Sequence, residues 1–177
     1  MEPLPAAPAL TEFPKELPIT QELDLPTQIL FANNRSWHNR MQLAGNLHLA
    51  PVVQAMLAHD PMENVTSELA KNPTLDPELQ IELAEDQYTS IRAALAQNHS
   101  LIPSVQMGLT NDAEDLVRYC LAANPSLKVQ VALVLYESSR QSEIIHQILA
   151  VDNPATYLAA KKAERIHAML TLDTLIG

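Results

Sequence analysis

Apolar residues along this chain recur on two spacings. Within short stretches they fall four residues apart, as in Val65 with Leu69, Ile91 with Leu95 and Val117 with Leu121, which puts each pair on one face of a helix. Over longer spans the whole pattern returns. Leu43-Ala44-Gly45-Asn46 becomes Leu69-Ala70-Lys71-Asn72, then Leu95-Ala96-Gln97-Asn98, then Leu121-Ala122-Ala123-Asn124, each 26 residues after the one before. The same step carries Leu49 to Leu75, Leu101 and Leu127, Val53 to Leu79, Val105 and Val131, and Leu57 to Leu83, Leu109 and Leu135. A fixed period of this size means stacked supersecondary units that bury their apolar faces only against one another.

Each unit is expected to hold two short helices. Asp60-Pro61-Met62-Glu63 has an acid at the N-cap, a proline at the first helical position and a glutamate at the third. Asp112 with Asp115, and Ser138 with Gln141, repeat that start more weakly, and Asn34 is placed to cap the first helix. Asn-Pro, as in Asn72-Pro73, stops the helix because the residue before proline is pushed out of helical space. The second helix is expected to open at Thr74, Ser100 or Ser126, with prolines Pro51, Pro77 and Pro103 in its first turn and spines such as Leu75, Leu79, Leu83. Asn153-Pro154 arrives three residues later than the step requires, and a last helix is expected from about Thr156 to Leu170.

The N-terminal stretch departs from this pattern. Residues 1–27 hold Pro3, Pro5, Pro8, Pro14, Pro18 and Pro26, with five acids against one Lys15 and no sustained apolar period. A disordered leader is the expectation there. Residues 28–33, with Ile29 to Phe31, are expected to cap the stack, and residues 34–177 to form about five two-helix units.

Composition narrows the class. The chain has 177 residues, 47% of them hydrophobic, enough for one extended core, and 3 Gly with 4% aromatics disfavour a sandwich or barrel. Net charge is -10 and the pI is near 4.9, which argues against binding a phosphate backbone. Cys120 is the one cysteine, so no internal disulfide forms. Without a long apolar run or a basic, apolar start, the expectation is a cytoplasmic protein with no membrane partner.

The alternation Leu-Ala-x-Asn-Pro-x-Leu-x-Pro, then Leu-Ala-x-Asp, then Ile91-Arg92 or Val117-Arg118, resembles the leucine-rich repeat variant family, a bacterial-type short-repeat relative in shape of HEAT and armadillo solenoids. The resemblance covers residues 34 to about 170. It implies an all-α, right-handed α-solenoid. It also implies a ladder between units in which an Asp six residues ahead of an Arg takes part. Asp86 with Arg92 and Asp112 with Arg118 match, whereas Asp60 precedes Thr66 and Arg40 follows Asn34, so the ladder is expected to break in the first two units. Some family members are associated with an iron-sulfur cluster held by an N-terminal cysteine cluster, which this chain lacks.

Candidate chemistry is sparse. The column Asn46, Asn72, Asn98, Asn124 is expected to satisfy backbone groups at turns. The six histidines show neither i, i+4 pairing nor zinc spacing, so no metal or cofactor is expected. No phosphate loop or nucleophile elbow is present, and no catalytic residues are assigned. Between Asp60 and Asp86 eight acids stand against Lys71 alone. These features point to a non-enzymatic protein-protein interaction module, and the acidic segment to a basic partner. By analogy with other solenoids, the surface is expected on the concave side, lined by solvent-facing residues of the second helices: Glu78, Gln80, Glu82, Ser104, Gln106 and Gln130. One rival reading is an acidic inhibitor that imitates nucleic acid. Another is a HEAT-like nucleic-acid enzyme, disfavoured by the few cations and the single Trp.

Overall fold

A computed structural model describes residues 17–18, 20–138, 142–155, 157–159, 161–162 and 164–165. Among them the chain is all-helical, with no strand. Helix α1 (Leu25–Ala32) precedes four helix pairs: α2 (Trp37–Ala44) with α3 (Pro51–Ala58), α4 (Glu63–Lys71) with α5 (Pro77–Leu83), α6 (Thr89–Ala96) with α7 (Pro103–Leu109), and α8 (Asp115–Ala122) with α9 (Val129–Ser138). Helix α10 (Glu143–Asp152) follows. Each first helix packs against the first helices of the neighbouring units, which makes the molecule a helical repeat solenoid.

The core is built from the repeating columns. Leu43, Leu69, Leu95 and Leu121 are fully buried, and the alanine after each one is too. An alanine there lets successive first helices approach closely without leaving a void. Leu83, Leu109 and Leu135 close the second-helix side of the same core. Leu79, on the expected spine of α5, is only half-buried.

The helices start later than their sequence signals. Asp60 does not cap α4: its Oδ1 accepts the amide of Met62, and the helix opens one residue further on. Asn34, Asp86 and Asp112 make the same i to i+2 turn with Ser36, Tyr88 and Glu114. Thr74, Ser100 and Ser126 likewise donate their amides to Asn72, Asn98 and Asn124 and lie ahead of α5, α7 and α9. Short polar side chains serve such turns as readily as caps. Gln141 lies outside the described residues, and α10 is capped instead by Ser142, whose hydroxyl accepts the Ile145 amide. Helical backbone recurs at 154–155, 157–159, 161–162 and 164–165, whereas the remainder of the expected last helix, Thr156 and residues 166–170 included, lies outside the described residues.

The solenoid begins before residue 28. Leu17 is buried and stands 26 residues ahead of Leu43, and its amide donates to Gln42 Oε1 at 3.0 Å. Asn46 Nδ2 donates to the carbonyls of Gln21 at 2.8 Å and Pro18 at 3.3 Å. Asp24 caps α1 by accepting the Thr27 amide. Residues 17–18 and 20–32 thus act as the second half of a degenerate unit, which corrects the expectation of a disordered leader over residues 1–27; residues 1–16 and 19 of that leader lie outside the described residues. Starting the chain at Thr27 is expected to lower the unfolding free energy by about 3 kcal/mol or more, since it deletes a buried leucine and orphans the Asn46 amide. Urea denaturation of that chain beside one starting at Leu17 checks this, and equal midpoints would refute the degenerate unit.

Candidate interaction surface

Three polar columns hold the units together, and they remove several residues from the candidate surface. The asparagines sit at the ends of first helices, where the last carbonyls lack partners within the helix. Asn98 Nδ2 donates to Ala70 O at 2.9 Å and Asn72 O at 2.7 Å, both in the preceding unit, while its Oδ1 accepts the Ser100 amide at 2.8 Å. Asn72 and Asn124 repeat these bonds one unit away, and Asn153 keeps the two donations across the longer step. Each asparagine satisfies backbone groups, as expected of the column.

A second column escaped the sequence reading. Gln28, Gln54, Gln80 and Gln106 are buried, and each one ties the turn ahead of its own helix to the next unit. Gln80 Nε2 donates to Leu75 O at 3.1 Å and Ser100 O at 3.4 Å, and its Oε1 accepts the Ile102 amide at 2.8 Å. Gln106 does the same with Leu101, Ser126 and Lys128. Gln80 and Gln106, 2% and 0% exposed, therefore cannot line a solvent-facing surface. The 26-residue recurrence of glutamine was the available signal. Gln80→Ala is expected to cost about 2 to 4 kcal/mol by stranding three backbone groups, more than Leu79→Ala at a half-buried position. Chemical denaturation of both variants tests this ranking, which the reverse order would overturn.

The third column is the arginine ladder, and its pairing differs from the expected one. Arg92 Nη1 donates to the backbone carbonyl of Asp86 at 2.7 Å, but its carboxylate partner is Asp112, 20 residues later, at 2.7 and 3.0 Å. Arg40 binds Asn34 O and the Asp60 carboxylate in the same way, so the first unit carries the ladder after all. The breaks fall at Thr66, whose hydroxyl donates to Leu57 O, and at Ser138, which stands where Arg118 would find its aspartate. Arg118 turns to Asp115 and to the carbonyl of Asp112. Burial pushes the Asp112 carboxyl up, but the Arg92 hydrogen bond, the Glu114 amide and the charges of Arg92 and Arg118 together hold it below the usual range.

The eight acids do not form one sheet of charge. Asp60 is spent on Arg40, Asp76 accepts the Glu78 amide at the start of α5, and Asp86 accepts the Tyr88 amide. Glu68 lies 3.5 Å from Lys71, and Glu63 accepts a bond from Ser90. Glu78 and Glu82 come together on α5, with His59 Nδ1 3.5 Å from Glu82. They line a notch of about 250 Å³ between α3 and α5, with Pro51, Ala55 and Leu79 as its apolar lining and Asp76 at its edge. Ser104 is exposed in the next groove, about 430 Å³ between α5 and α7, beside Ile81 and Gly108. Gln130 is exposed on α9, apart from both.

Successive units pack mainly through their first helices. A third groove of about 690 Å³ crosses the C-terminal ends of the first helices, lined by Lys71, Gln97, His99, Tyr119 and Cys120 among others. Burial pushes the Cys120 thiol up, opposed by a bond from Gln97, so the thiol stays protonated at neutral pH and is a poor nucleophile. Among the described residues no group of three His, Cys, Asp or Glu side chains is placed to hold a metal, and no helix is long and apolar enough to cross a membrane. Comparison with family models, curated proteins and solved structures finds no match to this chain.

Proposed function

We propose that this chain is a non-enzymatic recognition module of the leucine-rich repeat variant type that binds a protein partner, working in the cytoplasm as an adaptor, scaffold or regulator. The observation that carries the reading is the face of the second helices. There Ile29, Ile81 and Met107 recur at one register and remain exposed, alongside Glu78 and Glu82, which no inter-unit ladder uses. Exposed apolar residues in rows, rimmed by charge, mark interaction sites more often than scattered ones do. The family part of the proposal rests on the Leu-Ala-x-Asn segments and their 26-residue step.

The test is retention of partners from native lysate on the immobilised chain, followed by binding kinetics with the partner recovered. Glu78→Gln with Glu82→Gln keeps size and polarity while removing two charges. Charge complementarity acts mainly on association, so the association rate is expected to fall and to lose part of its salt dependence. A partner indifferent to this double variant would place the binding surface elsewhere.

A further inference from the structure

The grooves between successive second helices are one feature repeated with different linings. Ala55, Glu78 and Glu82 line the notch between α3 and α5, and a step of 26 residues carries them to Ile81, Ser104 and Gly108, which line the groove between α5 and α7. The same step backwards gives Ile29, Val52 and Met56, with Ile29 and Val52 exposed. Along the stack these positions are therefore apolar at Ile29, Val52 and Met56, then acidic over an apolar lining, then apolar at Ile81 with a hollow at Gly108, where Glu85, Asn111 and Asp112 add a polar edge. A Cβ at Gly108 would meet no atom within 4 Å, so the missing side chain leaves open space.

Resting on the protein-recognition reading above, we propose that these grooves bind an extended segment of a protein partner in which a lysine or arginine is followed or preceded by an apolar residue. The basic side chain lays its methylene stem along Pro51, Ala55 and Leu79 and sets its charged head among Asp76, Glu78 and Glu82. The apolar side chain fills the hollow beside Ile81 and Gly108. Charge complementarity names the occupant: the notch presents three carboxylates, and His59, 3.5 Å from Glu82, is itself mostly exposed and charged only when protonated. An apolar ligand would desolvate the Glu78 and Glu82 carboxylates without compensating their charge, whereas an ammonium or guanidinium satisfies them. Packed helices lie about 8 to 10 Å apart. A polyproline II segment places residues i and i+3 on one side at about 9 Å, so the two anchors are expected three residues apart.

A displayed library of short random peptides, selected on the full chain, tests this directly. Enriched sequences should carry Lys or Arg three residues from an apolar residue. A synthetic peptide of that sequence, followed by fluorescence anisotropy, should bind about tenfold more weakly to Glu78→Gln/Glu82→Gln. Gly108→Leu, which fills the hollow, should weaken it severalfold without changing the salt slope. Replacing the peptide's basic residue by Gln should cost the same factor, with no further loss against the double variant. Circular dichroism melts confirm that both variants fold. Enriched peptides without a cation, or peptides indifferent to both variants, overturn this inference while leaving protein recognition standing. A native partner that needs Glu78 and Glu82 while no peptide is enriched overturns it too, because the partner then presents a folded surface. No enriched peptide and no native partner would defeat both readings. A dimer of this chain that the double variant dissolves in sedimentation would make a second copy the occupant and end the proposal.

Discussion

Replacing Asn98 by alanine should lower the unfolding free energy by about 3 to 5 kcal/mol, a large share of what a domain of this size commands. The side chain is 0% exposed and joins three backbone groups: the carbonyl of Ala70, the carbonyl of Asn72, which also accepts the Leu75 amide, and the amide of Ser100. Removing it takes a bond from each of the three and leaves a space that alanine does not fill. Denaturant unfolding with linear extrapolation measures the loss. A cost below about 1 kcal/mol would mean that water replaces the amide without difficulty. Asn98→Asp is the sharper variant, since it keeps shape and the bond to Ser100 but turns a carboxylate toward two carbonyl oxygens. It should be at least as damaging at neutral pH and recover in part in acid, where a protonated carboxyl can donate to one of them. Binding through the second-helix grooves should survive in whatever fraction remains folded, because Asn98 touches none of their lining.

Arg92→Ala should cost about 3 to 5 kcal/mol, the usual result of stripping the partner from a buried charge. It takes both Arg92 bonds from the Asp112 carboxylate, 5% exposed, leaving it the Glu114 amide, and frees the carbonyl of Asp86. The effect carries a pH signature whose sign follows from Asp112. Its folded value lies below the ordinary one, so the stability it contributes is complete above the ordinary carboxylate value and is lost as pH falls through the folded value. Without Arg92, burial pushes the carboxyl up against only the Glu114 amide and the Arg118 charge, and the variant is penalised most at neutral pH. The gap between wild type and variant should therefore narrow below about pH 4. Adding Asp112→Ala to Arg92→Ala should recover part of the loss, as removal of both partners avoids the stranded charge. A gap that is constant with pH, or a double variant worse than the sum of the singles, would contradict the ladder as described.

Each misplacement in the sequence reading has a physical cause. Glu78 and Gln80 look alike on a hydropathy scale, yet one faces solvent and the other is buried, because only Gln80 meets the backbone of the next unit. Proline content concealed the degenerate first unit, although Leu17, Leu23, Gln28 and Phe31 already stand in register with Leu43, Leu49, Gln54 and Leu57. The ladder was misassigned because a spacing of six joins Arg92 to the carbonyl of Asp86, whereas the carboxylate comes from 20 residues onward.

What the sequence determined by itself is the architecture: the 26-residue step, two helices per unit and the leucine columns that form the core. Those follow from apolar periodicity, which each unit states locally and its neighbours repeat. Tertiary structure alone decided which polar columns turn inward, where the helices begin, and which side chains line the grooves between second helices. A buried amide or guanidinium is placed by unpaired backbone groups and carboxylates 20 to 28 residues away, and a groove exists only between two helices, so neither is a property of any single stretch of chain.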